Sequence, residues 1–397
     1  MNKRSIEALA DQPLEGMRAL VRVDFNVPIK DGTVADRTRI RAALPTIRWL
    51  RDRGTRVVLL SHLGRPKGKP DPRFSLRPVA AALELELGMP ITFIDDPTSD
   101  EAVRTTRRMK RGEVALAENT RFFPGEEQND PALAARFAAL GDLYVNDAFA
   151  SAHRGHASTE AVAHLLKPAV AGRLMARELT YLGGALREPA RPFLTVLGGA
   201  KISGKIDVIE NLLPLTDRIL IGGAMACTFF AAMGLEVGKS LVEPDRIGVA
   251  RQLLERAGGK LILPEGAVIA QQLASDTPLR SVPRDAIPAG WAMYDIDERT
   301  RDDFAAHIAG AKTIVWNGPM GVFETPPFDA GTLAVARALG SATAAGAVTI
   351  VGGGDSAAAL AAAGLVDTVT HVSTGGGAAL KFLEGKTLPG VAALDDL

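Results

Sequence analysis

Basic side chains follow several apolar segments in the first half of the chain. His62, Arg65, Arg121 and Arg154 each come after such a segment, and Arg39 begins the helix predicted after the first one. Guanidinium groups bind phosphate and carboxylate groups through paired hydrogen bonds. Because open α/β sheets bind ligands at the carboxyl ends of their strands, the set predicts a pocket for a small, multiply anionic ligand. A single arginine would as readily be a solvated surface residue, so the prediction depends on the five occurring together.

Glycine-rich segments occupy the corresponding positions in the second half. They lie at residues 198–201, 222–224, 317–321, 352–356 and 374–377. Glycine lets the backbone approach a ligand closely, and the N–H groups at a helix N-terminus attract phosphate. Lys201 and Lys205 add positive charge, and Asp355 offers a carboxylate of the kind that Mg²⁺ binds together with water and phosphate oxygens. These features predict a nucleotide site with Mg²⁺ at Asp355.

Two known nucleotide-binding motifs match only in part. Residues 199–205, GAKISGK, have the spacing of a Walker A loop, but Ile206 follows where that motif needs Ser or Thr to hold Mg²⁺. Residues 352–357 are similar to a dinucleotide fingerprint, but Asp367 comes too early to be its ribose-binding acid. The sequence therefore favours neither a Walker-type ATPase nor a dinucleotide-binding enzyme.

Ten short apolar runs alternate with amphipathic stretches. The runs are at 19–25, 56–60, 91–94, 114–117 and 143–146, and again at 193–197, 219–221, 260–263, 313–316 and 348–351. Most are continuously apolar, which is typical of parallel strands buried on both faces. Helices are predicted at 40–53, 75–87, 131–140, 244–257 and 329–339. The order predicts an α/β protein with two Rossmann-like, doubly wound parallel-sheet domains.

The boundary between the two series falls near residues 172–187. Leu174, Glu178, Leu182 and Leu186 have helical spacing there, so we expect a connecting helix and hinge. A first domain is predicted from residue 1 to 171 and a second from 188 to 379.

The composition limits the classes of protein that remain. The chain has 397 residues, 47% of them hydrophobic, with 46 basic and 46 acidic side chains. These values are typical of a soluble globular protein, and the zero net charge argues against a protein that mainly coats nucleic acid or an anionic membrane. One cysteine, Cys227, excludes internal disulfide bonds. Without a signal-like segment or a run of ~20 apolar residues, we expect a cytoplasmic protein with no nucleic-acid or membrane partner.

Several other residues are expected to have structural roles only. Cys227 and Trp316 are predicted to be buried in the core, and residues 357–365 to form a buried helix. Solvated positions are expected for Asp36, Glu126 and Glu127. His164, His307 and His371 lack the spacing of metal ligands and receive no role.

Long sequence blocks resemble those of the phosphoglycerate kinase family. They are VRVDFNVP (21–28), SHLGRP (61–66), ENTRF (118–122), NDAFASAHRGHAST (146–159), LMARE (174–178), LGGAKISGKI (197–206), GGAMACTFF (222–230), VWNGPMGVFE (315–324), VGGGDSAA (351–358) and STGGGAALKFLEGKTLPGV (373–391). They follow the family's order and spacing from the first predicted strand to the C-terminal region. The resemblance implies two Rossmann-like domains joined by a helix, with residues 380–397 returning to the first domain.

The resemblance also implies an activity. It is the reversible transfer of a phosphoryl group between 1,3-bisphosphoglycerate and MgADP, giving 3-phosphoglycerate and MgATP. Transfer would be direct and in line after hinge closure, in a cytoplasmic monomer that binds only small molecules. Catalysis would consist of positioning and charge stabilisation, because the acceptor is already a carboxylate and no general base is needed.

The residues that match the family's sites form two groups. The phosphoglycerate group is Asp24, Asn26, Arg39, His62, Arg65, Arg121 and Arg154. The nucleotide group is Gly199, Lys201, Lys205, Gly222, Gly223, Asn317, Pro319, Glu324, Gly353, Gly354, Asp355 and Ser356. By the same resemblance, Glu324 would hold the ribose and Asp355 the Mg²⁺. The transferring phosphoryl group would be stabilised by Arg39, Lys201 and the N–H groups near Gly375 and Gly376.

Two departures from the family pattern do not touch these positions. Gly155 replaces an Ala, and Gly204 replaces a common Asp between the two lysines. A non-catalytic, nucleotide-binding regulatory protein on the same fold is the main alternative. Such a protein would be expected to lose Arg39, Lys201 or Asp355, and all three are present. An added role in binding partner proteins stays open.

Overall fold

The computed structural model describes residues 2–397, which divide into two compact units. Unit 1 extends to Thr180 and includes Thr387–Leu397, and unit 2 is Tyr181–Lys386. The helix Arg173–Arg187 begins in unit 1 and ends in unit 2. Among residues 2–397, no helix has the length and apolar character that crossing a membrane requires.

A six-stranded parallel sheet forms the centre of unit 1. In spatial order its strands are Thr92–Ile94, Val114–Ala117, Arg56–Leu60, Arg18–Arg22, Leu143–Asn146 and Ala169–Ala171. Arg18–Arg22 is buried along its whole length, and Arg22 lies in register with Leu60 and Asn146 on its two neighbours. These strands therefore end together, and the residues that follow them gather along one edge of the sheet.

The helices of unit 1 follow the strands in the order expected for βαβ units. They are Thr38–Arg51, Arg77–Leu87, Asp100–Arg108, Pro131–Ala138, Val162–Leu165 and, in the C-terminal segment, Pro389–Ala392. The first helix turns Ile40, Ile47 and Leu50 into the hydrophobic core. A short hairpin, Ile29–Lys30 with Thr33–Val34, precedes it.

Unit 2 has a second six-stranded parallel sheet. Its strands are Leu261–Ile262, Arg218–Ile221, Phe193–Leu197, Thr313–Asn317, Val348–Gly352 and His371–Val372. Its helices are Ile206–Leu212, Met225–Ala232, Ile247–Ala257, Glu298–Ala309, Ala330–Ala344, Gly354–Ala362 and Gly377–Leu383. A separate antiparallel sheet has the order Arg280–Pro283, Gly266–Ala270 and Ala292–Ile296.

The predicted fold class is confirmed, with a few differences in detail. Each of the ten predicted strands is present within about three residues of its expected bounds, and Cys227 and Trp316 are fully buried as predicted. The antiparallel sheet was missed. Its outer strand, Arg280–Pro283, is mostly exposed and has no apolar run, and its central strand, Gly266–Ala270, is a short apolar run that periodicity alone does not identify as a strand. The helix predicted at 357–365 is present, but its bounds differ and the prediction that it is buried was wrong. The helix is Gly354–Ala362, and its exposed alanines include Ala361 and Ala362, since a methyl side chain tolerates either environment.

Candidate active site

The carboxyl edge of the unit 1 sheet brings together Asp24, Asn26 and the segment after His62. The backbone N–H of Asn26 donates to Asp24 Oδ1 (3.1 Å), which closes a tight turn after the first strand. Asn26 Oδ1 in turn accepts from the backbone N–H of Gly64 (2.9 Å). The loop after one strand is thus tied to the loop after its neighbour.

Arg39 reaches this edge from the first turn of the helix Thr38–Arg51. Asp36 shapes the entry to that helix, because its Oδ1 accepts from both the backbone N–H (2.8 Å) and the hydroxyl (2.6 Å) of Thr38. Arg39 Nη1 donates to Asp24 Oδ2 at 2.5 Å, and its side chain is 38% exposed. One side of the guanidinium is held by protein, and the rest remains accessible to a ligand.

Arg121 lies in a short turn, Thr120–Phe122, that Asn119 holds in place. Asn119 Oδ1 accepts from the backbone N–H of Arg121 (3.0 Å), and its Nδ2 donates to Leu63 O (2.7 Å). Arg121 Nη1 donates to Gly64 O (2.8 Å), and its Nε lies 3.3 Å from a carboxylate oxygen of the exposed Glu127. Burial, followed by the nearby charge of Arg154, lowers the pKa of Arg121 to about 10.

His62 is buried against Arg22, a residue that sequence reasoning did not assign to the site. Arg22 Nη2 lies 3.1 Å from His62 Nδ1, and Arg22 is 1% exposed. Burial holds the pKa of His62 well below its usual value, and the charges of Arg22, Arg121 and Arg154 lower it further. The same causes, burial first, lower the pKa of His156 to about 3. Burial and the converging cationic groups therefore act together to favour the neutral form of both imidazoles.

The remaining two predicted residues differ in their surroundings. Arg154 is partly buried and close enough to depress the pKa values of His62 and Arg121. Arg65 is exposed, and within residues 2–397 its side chain makes no hydrogen bond or ion pair.

The expectation that Glu126 is solvated was wrong. Its side chain is fully buried, and its two carboxylate oxygens accept from the hydroxyl (2.5 Å) and the backbone N–H (2.9 Å) of Ser158. Its carboxylate also lies 3.9 Å from Nδ1 of His156. Asp36 and Glu127 are exposed as predicted.

A cavity of about 410 Å³ opens at the carboxyl edge of the unit 2 sheet. It is lined by Gly199, Ala200, Gly223, Ala224, Lys239, Leu241, Ala292, Met293, Tyr294, Pro319, Gly321, Val322, Glu324 and Asp355. Five of the twelve predicted nucleotide residues are in this lining. The other seven are not, and neither are Gly375 and Gly376; the seven are Lys201, Lys205, Gly222, Asn317, Gly353, Gly354 and Ser356. The apolar side chains fit a flat ring system, and the carboxylates provide polar groups for orientation.

Backbone hydrogen bonds join the loops that form this cavity. Gly199 N donates to Pro319 O (2.9 Å), and Gly223 N donates to Met320 O (2.9 Å). Gly223 has a φ of +69°, and a Cβ atom added there would lie 2.6 Å from the backbone N and O of Gly199. A Cβ at Gly222 would lie 2.4 Å from the sulfur of Met320. Glycine is required at position 223 because the loops are in direct backbone contact there, whereas at position 222 the close neighbour is the side chain of Met320.

The two lysines of the second unit have different environments. Lys205 donates to the side-chain oxygen of Asn317, and burial lowers its pKa to about 8, against the charges of Asp355 and Glu384, which raise it. Lys201 is exposed just before the turn Ile202–Gly204. A cation as poorly solvated as Lys205 would gain from an anion placed nearby.

Asp355 and Ser356 begin the helix Gly354–Ala362. Ser356 Oγ accepts from the backbone N–H of Gly318 (2.8 Å), while Asp355 is exposed at the cavity. Residues 2–397 hold no cluster of three or more His, Cys, Asp or Glu side chains suited to a metal ion. One carboxylate is nevertheless adequate for Mg²⁺, which keeps several waters and takes further ligands from substrate phosphates.

The last glycine-rich segment, residues 374–377, leads into another helix. Gly376 has a φ of +49° immediately before the helix Gly377–Leu383, and the backbone N–H of Gly375 donates to Ser373 Oγ (3.1 Å). The Gly375 N–H is therefore already engaged within the loop.

Asp295 is a buried carboxyl group behind the nucleotide cavity that sequence reasoning missed. Its Oδ2 accepts from the backbone N–H of Gly331 (2.7 Å) and its Oδ1 from that of Ile296 (2.8 Å). A Cβ atom added to Gly321 would lie 2.3 Å from Oδ1, so the loop packs directly on this carboxyl group. Burial raises the pKa of Asp295 to about 7.

Comparisons with known proteins agree on one family. The sequence model described as phosphoglycerate kinase matches residues 9–386. The chain is 57% identical to the phosphoglycerate kinase of Chloroflexus aurantiacus over 405 residues, covering 100% of each protein. It is 54% identical to that of Chlorobaculum tepidum, covering 98% of this chain and 99% of the relative. The structure of phosphoglycerate kinase from Coxiella burnetii superposes with a TM-score of 0.90 at 41% identity, covering 97% of each chain.

Proposed function

The chain belongs to the phosphoglycerate kinase family, and from that premise we propose that the two sites described above carry its reaction. The enzyme reversibly transfers a phosphoryl group between 1,3-bisphosphoglycerate and ADP, giving 3-phosphoglycerate and ATP, in glycolysis. The assignment of individual residues to the steps of this reaction is our proposal.

The phosphoglycerate binds at the carboxyl edge of the unit 1 sheet in this proposal. The single observation that carries it is the convergence of Arg22, Arg121 and Arg154 around His62 and His156, whose pKa values are lowered first by burial and then by these charges. A multiply anionic substrate would compensate this buried positive charge. The ligands we assign to it are Asp24, Asn26, Arg39, His62, Arg65, Arg121 and Arg154.

The nucleotide binds in the unit 2 cavity. Gly199, Gly223 and Pro319 would face its ring system or phosphates, and Glu324 would accept hydrogen bonds from the ribose hydroxyls. We assign the remaining contacts to Gly222, Asn317, Gly353, Gly354, Ser356 and the two lysines. Asp355 would hold Mg²⁺, which when bound would neutralise charge on the nucleotide phosphates.

Catalysis depends on charge stabilisation in this proposal. The acceptor is a carboxylate that needs no deprotonation, and no catalytic base is required. Arg39 and Lys201 are accessible cations whose charges would stabilise the equatorial oxygens of the transferring group. Of the backbone N–H groups near Gly375 and Gly376, that of Gly375 is held by Ser373 Oγ, so the N–H of Gly376 would add to this.

The two substrates are assigned to different units, so direct transfer requires them to meet. We propose that ligand binding changes the arrangement of the units through the helix Arg173–Arg187. Small-angle scattering should give a smaller radius of gyration with both substrates than with either alone, and an equal radius would contradict this. We further propose that the enzyme works as a cytoplasmic monomer.

The test is ADP formation from MgATP with and without 3-phosphoglycerate. Turnover should require 3-phosphoglycerate and be lost in Lys201→Ala, but not in Lys312→Ala, which removes an exposed lysine at the start of another strand of the same sheet. A folded protein that binds nucleotide without turnover would support the regulatory alternative instead. Hydrolysis of ATP without 3-phosphoglycerate would point to an ATPase.

A further inference from the structure

A chain of four buried side chains lies behind the phosphoglycerate site. Arg22 Nε donates to Ser158 Oγ (2.8 Å), and Ser158 Oγ donates to Glu126 Oε1 (2.5 Å). At the other end, Arg22 Nη2 lies 3.1 Å from His62 Nδ1. Each of the four residues is at most 3% exposed. This series of hydrogen bonds therefore connects the carboxylate of Glu126, in the interior, to the imidazole of His62 at the site.

The buried positive charge of Arg22 explains why this series of hydrogen bonds needs Glu126. Arg22 makes no ion pair within residues 2–397, although it is almost fully buried and always protonated. A buried guanidinium without a counter-charge is strongly unfavourable. Glu126 is the fully buried carboxylate that Arg22 reaches through a single hydroxyl group.

Ser158 is fixed at both ends of its own backbone. Its N–H donates to Glu126 Oε2 (2.9 Å), and its carbonyl accepts from the hydroxyl of the buried Tyr144 (2.9 Å). The Ser158 hydroxyl can donate only one hydrogen, and Glu126 takes it. The lone pairs of the Ser158 hydroxyl are then oriented toward Arg22. The Glu126 carboxylate therefore sets which group donates and which accepts at each hydrogen bond of the series.

The direction of the hydrogen bonds determines the tautomer of His62. A guanidinium only donates, so Nδ1 of the neutral imidazole must accept, and the ring proton must be on Nε2. His62 would then offer an N–H donor, rather than a lone pair, to an anionic oxygen of the substrate.

We propose that Glu126 is a positioning residue for phosphoglycerate, acting through Ser158 and Arg22 to hold His62 as its Nε2–H tautomer. The inference depends on the proposed role of His62 as a substrate ligand. Glu126 itself does not touch the substrate in this scheme. A positioning role predicts the opposite result from a purely electrostatic one. A carboxylate near an anion site should by its charge weaken anion binding, so its removal should strengthen that binding.

The experiment compares Glu126→Gln, Ser158→Ala and the control Ser151→Ala in the complete enzyme. Ser151 is another buried serine of unit 1, and within residues 2–397 its hydroxyl makes no hydrogen bond to His62. Glu126→Gln removes the negative charge. Ser158→Ala removes the hydroxyl that links Glu126 to Arg22 and leaves every charge in place. Should Glu126→Gln fail to fold, Ser158→Ala still gives the result.

Both variants should raise the KM for 3-phosphoglycerate about tenfold, leave the KM for MgATP within about twofold, and differ from Ser151→Ala. Tenfold corresponds to about 1.4 kcal/mol of binding free energy. The ¹⁵N resonances of His62, assigned through His62→Gln, should show a pure Nε2–H tautomer in the wild type and a mixture in the variants. A lower KM for 3-phosphoglycerate in Glu126→Gln, equal changes for both substrates, or an unchanged tautomer would overturn the proposal. An unchanged KM in His62→Gln would instead overturn the proposed substrate site, whatever the tautomer.

Discussion

Arg39 and Asp24 form a 2.5 Å ion pair that joins the end of the first strand to the start of the first helix. Asp24 is nearly buried, while part of Arg39 stays exposed. The carboxylate therefore fixes the position of the guanidinium without enclosing it. This arrangement suits a cation that must meet charge developing on a substrate.

Replacing Arg39 by Ala should lower kcat by about 10²–10³, as for other preorganised groups that stabilise transition-state charge. Steady-state kinetics in both directions would measure it. Arg37→Ala is the matched control, because Arg37 is two residues away and pairs with Glu86 instead. A kcat for Arg39→Ala within a few fold of the control would contradict the assignment.

The placement of the candidate site residues at the carboxyl edges of the two sheets could be predicted from the sequence, because it follows from which residues come after each strand. Residues such as His62 and Asp355 come after apolar runs, and parallel strands place such residues on one edge. The supporting groups behind them were not accessible. Glu126 and Asp295 have no local pattern that distinguishes a buried carboxylate from a solvated one, and only the fold brings Ser158 or Gly331 to them.

A role for Arg22 at the site could have been predicted from the sequence. Arg22 is a charged residue within the apolar run predicted at 19–25 and the last residue of a fully buried strand, and a buried charge requires a partner or a function. The antiparallel sheet of unit 2 gave a weaker signal. Its outer strand, Arg280–Pro283, is too short and too exposed for any periodicity, and its central strand, Gly266–Ala270, is a short apolar run that periodicity alone does not distinguish from a helical segment.

The glycine at position 223 should be indispensable for nucleotide binding. Gly223→Ala forces a left-handed conformation on alanine and places its Cβ 2.6 Å from the backbone of Gly199. The loops must separate, so we expect the Kd for ADP to rise at least about tenfold. Calorimetric titration would measure this. Gly204→Ala is the control, because a Cβ there meets no atom within 4 Å. Equal ADP affinities in the two variants would count against the backbone contact.

Binding of 3-phosphoglycerate gives an internal check on Gly223→Ala. The substrate is assigned to unit 1, whereas the substitution lies in unit 2. The affinity of Gly223→Ala for 3-phosphoglycerate should stay within about twofold of the wild-type value if the fold is intact.

Asp295 should make the stability of unit 2 decrease as the pH rises. Burial raises its pKa from 3.8 to about 7, so between about pH 4 and pH 7 the native state keeps a proton that the unfolded state has lost. The free energy of unfolding must then fall as the pH rises through that window. Asp295→Asn has no ionisable group there and should lack this slope, although it also loses a hydrogen-bond acceptor facing Gly331 or Ile296.

Urea unfolding at several pH values would measure the difference between wild type and Asp295→Asn. Both proteins should carry Trp49→Phe, so that fluorescence reports Trp291 and Trp316 of unit 2. Neutral histidines such as His156 give the opposite pH dependence but are common to both proteins, so they cancel. Parallel pH profiles would show that Asp295 is ionised in the native state throughout.

Asp355 should determine how much Mg²⁺ the enzyme requires. It is exposed at the nucleotide cavity and begins a helix, and it is the one carboxylate we assign to the ion. Asp355→Asn keeps the shape but not the charge, so half-maximal activity should need about tenfold more Mg²⁺, or about 1.4 kcal/mol of lost binding. Affinity for ATP measured in EDTA should not decrease, because removing a negative charge beside the phosphates cannot weaken their attraction to the site. The control is Asp367→Asn, an exposed aspartate soon after the same helix and outside the cavity. If the two variants need the same Mg²⁺ concentration, the ion is held by the nucleotide without help from Asp355.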